Sequence, residues 1–203
     1  MNEHLPRPRR EPTQAAEGLP RWRWTLAEFD RLIELGILTE DDRVELIGGE
    51  LIPMASKGIR HENVKGEIEL WFYDNAPKST RVMIELGWRP DGETYCEPGV
   101  LVFPRQIKPV SKLTPADVLL LVEIADSSWK CDTATKAPLY ARLGVREYWV
   151  IDATTLETRV HRNPAADGTY GSVTTCAPAS RLTPALVPEL ALCLAEIEAG
   201  APD

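Results

Sequence analysis

The sequence predicts an α/β fold, a central mixed β-sheet flanked by helices. Two observations carry the prediction. Residues 118–153 hold two short apolar runs around a helix-like segment, which reads as a strand–helix–strand unit with parallel strands. Elsewhere, apolar stretches are joined by turn signatures at Gly48–Gly49, Pro90–Asp91–Gly92 and Asp167–Gly168, which read as antiparallel hairpins. The first apolar run, VLLLVEIA, contains Glu123. A strand buried on both faces is close to uniformly apolar, so this glutamate is out of place. A carboxylate there must be paired, hydrogen-bonded, protonated or bound to a cation.

A length of 203 residues with 43% hydrophobic content supports one domain with a real core, expected over residues 22–200. Residues 1–21, rich in Pro, Arg and Glu, read as a disordered tail. No apolar run approaches the roughly 18 residues of a membrane helix, so no membrane partner is expected. The N-terminus lacks the apolar centre of a secretory signal. The cysteines at 96, 131, 176 and 193 form no C-x-x-C pair, which argues against a zinc cluster or a disulfide framework. Free thiols fit a reducing cytosol, and a cytoplasmic protein is expected. A net charge of −8 argues against a broad basic surface for nucleic acid. A local basic groove or a metal-centred acidic site stays open.

Order is expected from Trp22. Thr25 and Glu28 have capping-box spacing ahead of Phe29, Leu32 and Ile33, and Gly36 fits the residue after that helix. RVELIGGELIPM reads as a hairpin with Glu45 in its first strand and Glu50 opening its second. HENVKGEIELWFYDNA reads as a helix, with Val64, Ile68 and Trp71 on one face and His61 at its entrance. Residues 81–103 read as one hairpin, its second strand running over 94–103. Residues 104–117 read as a polar, mobile loop carrying Lys108 and Lys112 as candidate phosphate contacts. After the strand–helix–strand unit comes a hairpin turning at Asp167–Gly168. Leu190, Leu194 and Ile197 have helical spacing and predict a docking C-terminal helix.

The candidates for chemistry are Glu45, Glu123, Asp132 and Lys136, with His61 as an accessory. Asp132 and Lys136 are four apart and share a face on a continuous helix. A lysine beside two carboxylates can hold or polarise a water while the carboxylates bind a hard divalent cation through oxygen. Phosphodiester hydrolysis wants that combination. As surface residues, the same side chains would be solvated charges of little consequence.

In order along residues 24–197, RVELIGGELIPM, His61 at a helix start, LLVEIADSS, the D-x-x-x-K of Asp132 to Lys136, Tyr140 and GVREYWVID resemble a large bacterial family. That family is the restriction-endonuclease-like one of the PD-(D/E)XK nuclease superfamily, formerly a domain of unknown function and abundant in cyanobacteria. The resemblance implies a restriction-endonuclease-like core and a metal-dependent endonuclease acting on DNA, with Mg²⁺ or Mn²⁺ as cofactor. It implies Glu45 and Glu123 as metal ligands and, with Lys136, as catalytic residues. By analogy it implies a homodimer. The family's lysine normally lies two residues after the glutamate, where this chain has Ala125, and is thought to move to the next helix, at Lys136.

Two departures from the family stand out. The family's Pro-Asp pair, whose aspartate is a metal ligand, falls on Pro98–Gly99, and glycine has no ligand to offer. Glu97 is on the same strand face, but its Cα is about 6.5 Å away. Pro138 disfavours helical geometry at Ala137, so the helix is expected to start near Lys136. Three readings follow: a nuclease working with an incomplete metal site, a nuclease fold that binds a partner or nucleic acid without cutting, and a packing domain with Glu123 as a satisfied core carboxylate.

Overall fold

The computed structural model describes residues 22–55 and 58–197; the expected N-terminal tail lies outside them. Helix α1 (Leu26–Glu34) is capped as the spacing predicts. Thr25 accepts from the Glu28 amide, and the Glu28 carboxylate accepts from the Thr25 amide. Strands β1 (Val44–Ile47) and β2 (Glu50–Pro53) pair through a two-residue turn in which Gly48 and Gly49 have φ of 56° and 85°. Two successive positive φ values are what a primed hairpin turn requires, and glycine adopts them without a Cβ clash.

Helix α2 (Ile59–Asn75) begins two residues before His61 and buries Val64, Ile68 and Phe72. Trp71 is only partly buried against that core.

The single hairpin expected over residues 81–103 is instead two nested ones in different sheets. Strand β3 (Thr80–Ile84) pairs with β6 (Val100–Pro104), and between them β4 (Trp88–Asp91) pairs with β5 (Thr94–Cys96). The chain breaks at Glu85, whose φ is 46°, and at Glu97–Gly99, where Pro98 has no amide to donate. A period-2 pattern does not record such a change of sheet.

The polar loop expected after β6 carries some local structure. It has 3₁₀ turns at Val110–Lys112 and Pro115–Asp117, and Leu113 is buried with its carbonyl accepting from Trp88 Nε1. Neither Lys108 nor Lys112 lines the pocket described below.

The strand–helix–strand unit forms as read. Strand β7 (Leu120–Ala125) lies parallel to β8 (Glu147–Asp152), with Glu123 opposite Val150. Between them run α3 (Trp129–Cys131), a π-helical turn (Asp132–Lys136) and α4 (Ala137–Leu143) without a break. The helix therefore does not start near Lys136. The turn widens so that the Ala137 amide donates to Asp132 O, and this accommodates the donor that Pro138 lacks.

Strands β9 (Thr158–Pro164) and β10 (Tyr170–Cys176) complete a six-stranded sheet in the order β10-β9-β8-β7-β6-β3, mixed because only β7 and β8 run parallel. A four-stranded sheet is ordered β2-β1-β5-β4. Side chains alternate along β7. Leu120, Val122 and Ile124 pack in one core with α2, while Leu121 and Ala125 pack in a second core with α4 and Ile47 of β1. Glu123 belongs to that second face.

The C-terminal helix does not form. Residues 181–197 make a ribbon of β11 (Arg181–Leu182) and β12 (Leu192–Cys193), with 3₁₀ turns at Pro188–Leu190 and Leu194–Glu196. Leu190, Leu192 and Leu194 are all buried, so the operative spacing is two and not four. Leu192→Ala is accordingly expected to cost about 2 kcal/mol, and Glu196→Ala less than about 0.5, in urea unfolding. A helical tail would make the change at 192 nearly neutral.

Candidate functional site

Three elements deliver the site. Strand β7 presents Glu123 on the face covered by α4, β1 presents Glu45 two residues before the buried Ile47, and the widened turn presents Lys136. Lys136 Nζ lies 2.9 Å from Glu45 Oε2, 3.1 Å from Glu123 Oε1 and 3.6 Å from Asp132 Oδ1. All four residues are buried, none more than 6% exposed. Glu45, Glu123 and Lys136 are thus brought together, and Asp132 stands at their edge.

The chain crossing from one sheet to the other fixes the two glutamates. The Glu97 amide donates to Glu45 Oε1 at 2.9 Å, and the Gly99 amide donates to Glu123 Oε2 at 3.2 Å. A Cβ at Gly99 would stand 3.2 Å from Val122 O and 3.3 Å from Ile124 Cδ1, so the backbone approaches β7 closely here. Tyr140 Oη lies 3.4 Å from Glu123 Oε1 and 3.6 Å from Cys96 Sγ.

Three carboxylates face one ammonium in a desolvated space. Burial pushes the Glu123 carboxyl up to about 7; Lys136 opposes the shift and the neighbouring Asp132 and Glu45 add to it. Burial also raises Asp132. Burial acts to lower Lys136, but Glu123, Glu45 and Asp132 outweigh it and hold the lysine well above its ordinary value. Lys136 is a fixed cation, and Glu123 is a group that can change charge near neutrality.

These groups form the floor of a pocket of about 270 Å³ whose lining also includes Arg43, His61, Lys65, Glu85, Glu97 and Gly99. His61, the accessory candidate at the helix entrance, is buried beside the site. It is 7% exposed, and Nε2 donates to Ile124 O, the carbonyl following Glu123, at 2.8 Å. Glu97 reaches the pocket but not Lys136; its carboxylate accepts from Tyr95 Oη at 2.5 Å. A second ion cluster went unnoticed in the sequence. Lys65 Nζ is 2.8 Å from Glu85 and 3.6 Å from Glu69. The placement of Lys65 one turn after His61 was the available signal. The amides of Glu97 and Gly99 leave no signal in a sequence.

Mg²⁺ is commonly held by one or two carboxylates completed by water and substrate phosphate. Among the described residues no three His, Cys, Asp or Glu side chains are arranged to hold a metal ion. The floor does offer two hard oxygen ligands, Glu45 and Glu123, and more buried carboxylate than ammonium. The donor set therefore fits a two-carboxylate site completed from outside the protein, not an all-protein cage.

A mixed sheet whose central parallel strand carries a lysine-bridged carboxylate defines a protein of the restriction-endonuclease-like fold. The family model described as "Uma2: Putative restriction endonuclease" matches residues 26–195, and the chain belongs to that family. Among solved structures, one from Anabaena variabilis ATCC 29413, titled as a "putative nuclease belonging to DUF820", has a TM-score of 0.67 at 17% identity. The match covers 85% of this chain and 96% of that one, and it shows a shared fold. No curated protein matches the chain. Among the described residues no helix is long and apolar enough to cross a membrane.

Proposed function

We propose that this chain hydrolyses phosphodiester bonds in DNA, in a reaction that needs Mg²⁺ or Mn²⁺, with a rate held down by the glycine at position 99. The observation that carries the reading is Lys136 Nζ within 3.1 Å of both Glu45 and Glu123 on the floor of an open pocket. Glu45 and Glu123 would hold the cation, which when bound neutralises phosphate charge and polarises a bound oxygen. Lys136 stays protonated, so its task is to orient the attacking water and face the charge that builds on the phosphate. The amides of Glu97 and Gly99 keep the two carboxylates in register. Desolvation strengthens each of these interactions.

Calorimetric titration of Mg²⁺ or Mn²⁺ into the wild type and Glu123→Ala tests the reading. Binding is expected in the wild type and lost in the variant; absence of wild-type binding removes the metal-dependent mechanism. A second reading, a nuclease fold that binds without cutting, is favoured by Gly99 and by the net charge of −8. Position 99 has no positive φ, but an added Cβ would press on the Val122 carbonyl of β7 at 3.2 Å, so β7 must yield by a few tenths of an ångström. A folded Gly99→Asp, checked by its melting temperature, should raise cleavage by more than about tenfold. Cleavage seen only in Gly99→Asp would favour the second reading.

A further inference from the structure

Arg43, an exposed residue immediately before β1 and two residues from Glu45, lines the same pocket as the buried carboxylates. Its backbone is left-handed, with φ 40° and ψ 69°, and Met54 N donates to its carbonyl at 2.8 Å. A bulky side chain in that region is strained, and strain of this kind gathers at functional sites. Of the four non-glycine residues with positive φ among the described residues, Arg43 and Glu85 both line this pocket.

The pocket's charges single out Arg43 further. Lys136 is held by Glu45 and Glu123, Lys65 by Glu85, and His61 by a backbone carbonyl. Among the described residues the Arg43 guanidinium has no hydrogen bond or ion pair. An unpaired guanidinium over a floor of carboxylates matches the needs of an anionic ligand. The acidic floor repels phosphate, and a cation at the mouth offsets that repulsion at the point of entry. A guanidinium also presents parallel N–H donors to two phosphate oxygens at once, which an ammonium does not.

We infer that Arg43 receives a backbone phosphate of the nucleic-acid substrate at the pocket mouth. The inference rests on the nuclease reading for its substrate class, but it is tested separately from cleavage. Fluorescence anisotropy would follow a labelled duplex oligonucleotide, in EDTA, across a series of salt concentrations. Arg43→Gln is expected to weaken binding about three- to tenfold at low salt and to lower the salt slope by about one ion. Arg43→Lys should keep part of the affinity. Arg43→Gly relieves the strained backbone while removing the guanidinium, so it should raise the melting temperature and still weaken binding. Affinity and salt slope unchanged in Arg43→Gln would overturn the assignment and leave the nuclease reading standing. A wild type that does not bind DNA would overturn both. Weakened binding in Arg43→Gln beside cleavage undiminished in Glu123→Ala would keep the phosphate contact and remove the proposed mechanism.

Discussion

Lys136→Met is expected to destabilise the protein by about 3–5 kcal/mol at pH 8, because it strands three buried carboxylates without their cation. Glu45, Glu123 and Asp132 are each at most 6% exposed, so the little water that reaches them from the pocket does not replace the ammonium. The ion pairs themselves gain little over an apolar replacement; the cost lies in leaving one side uncompensated. The loss should shrink near pH 5, where Glu123 and Asp132, both already raised by burial, take up protons. The double variant Lys136→Met/Glu123→Gln should recover part of the loss, as groups in one network do not act additively. Urea unfolding at the two pH values measures this. Equal stability of Lys136→Met and wild type at pH 8 would mean that the carboxylates are solvated and the floor is not closed.

The second large effect is on the pH dependence of stability in metal-free buffer. Glu123 binds its proton more tightly in the folded chain, at about 7, than at its ordinary value of 4.5. Its contribution is therefore complete below pH 4.5 and is lost as pH rises through about 7. The loss is on the order of 3 kcal/mol. Lys136, also raised, contributes below its ordinary value and loses that contribution only in alkali. Glu123→Gln stays neutral throughout and should lack the decline between pH 4.5 and 7. The difference between the two unfolding curves reports this carboxyl together with its coupling to Lys136, Asp132 and Glu45. Parallel curves over that range would place Glu123 in contact with water.

Much of the fold is legible from local chemistry. The capping box at Thr25 and Glu28, the glycine pair at 48 and 49, and the parallel strands around the 129–143 helical segment all form where the residues dictate. Each depends on neighbours within a turn or on a run of apolar side chains. The failures share a different cause. Residues 94–103 read as one apolar-rich strand, yet the chain changes sheet at Glu97–Gly99. Leu190, Leu194 and Ile197 fit a helix, yet pairing of β12 with β11 selects the two-residue spacing. Pro138 reads as a helix boundary, yet one widened turn carries the helix through it. In each case a tertiary contact chose between two locally acceptable conformations.

The site divides along the same line. Glu123 is conspicuous in the sequence by itself, because a carboxylate within an apolar strand has few physical explanations. Lys136 and Glu45 are plausible from residue type and family pattern. Their meeting within 3.1 Å is decided only by the packing of β1 and the widened helical turn against β7, which joins residues 91 positions apart. The same packing makes two amides of a crossover donors to the carboxylates and, among the described residues, leaves the Arg43 guanidinium without a hydrogen bond or ion pair. A sequence states which charges exist and which strand must bury one. Only the folded chain settles which of them share a space without water, and that exclusion of water is what gives the charges their mutual effect.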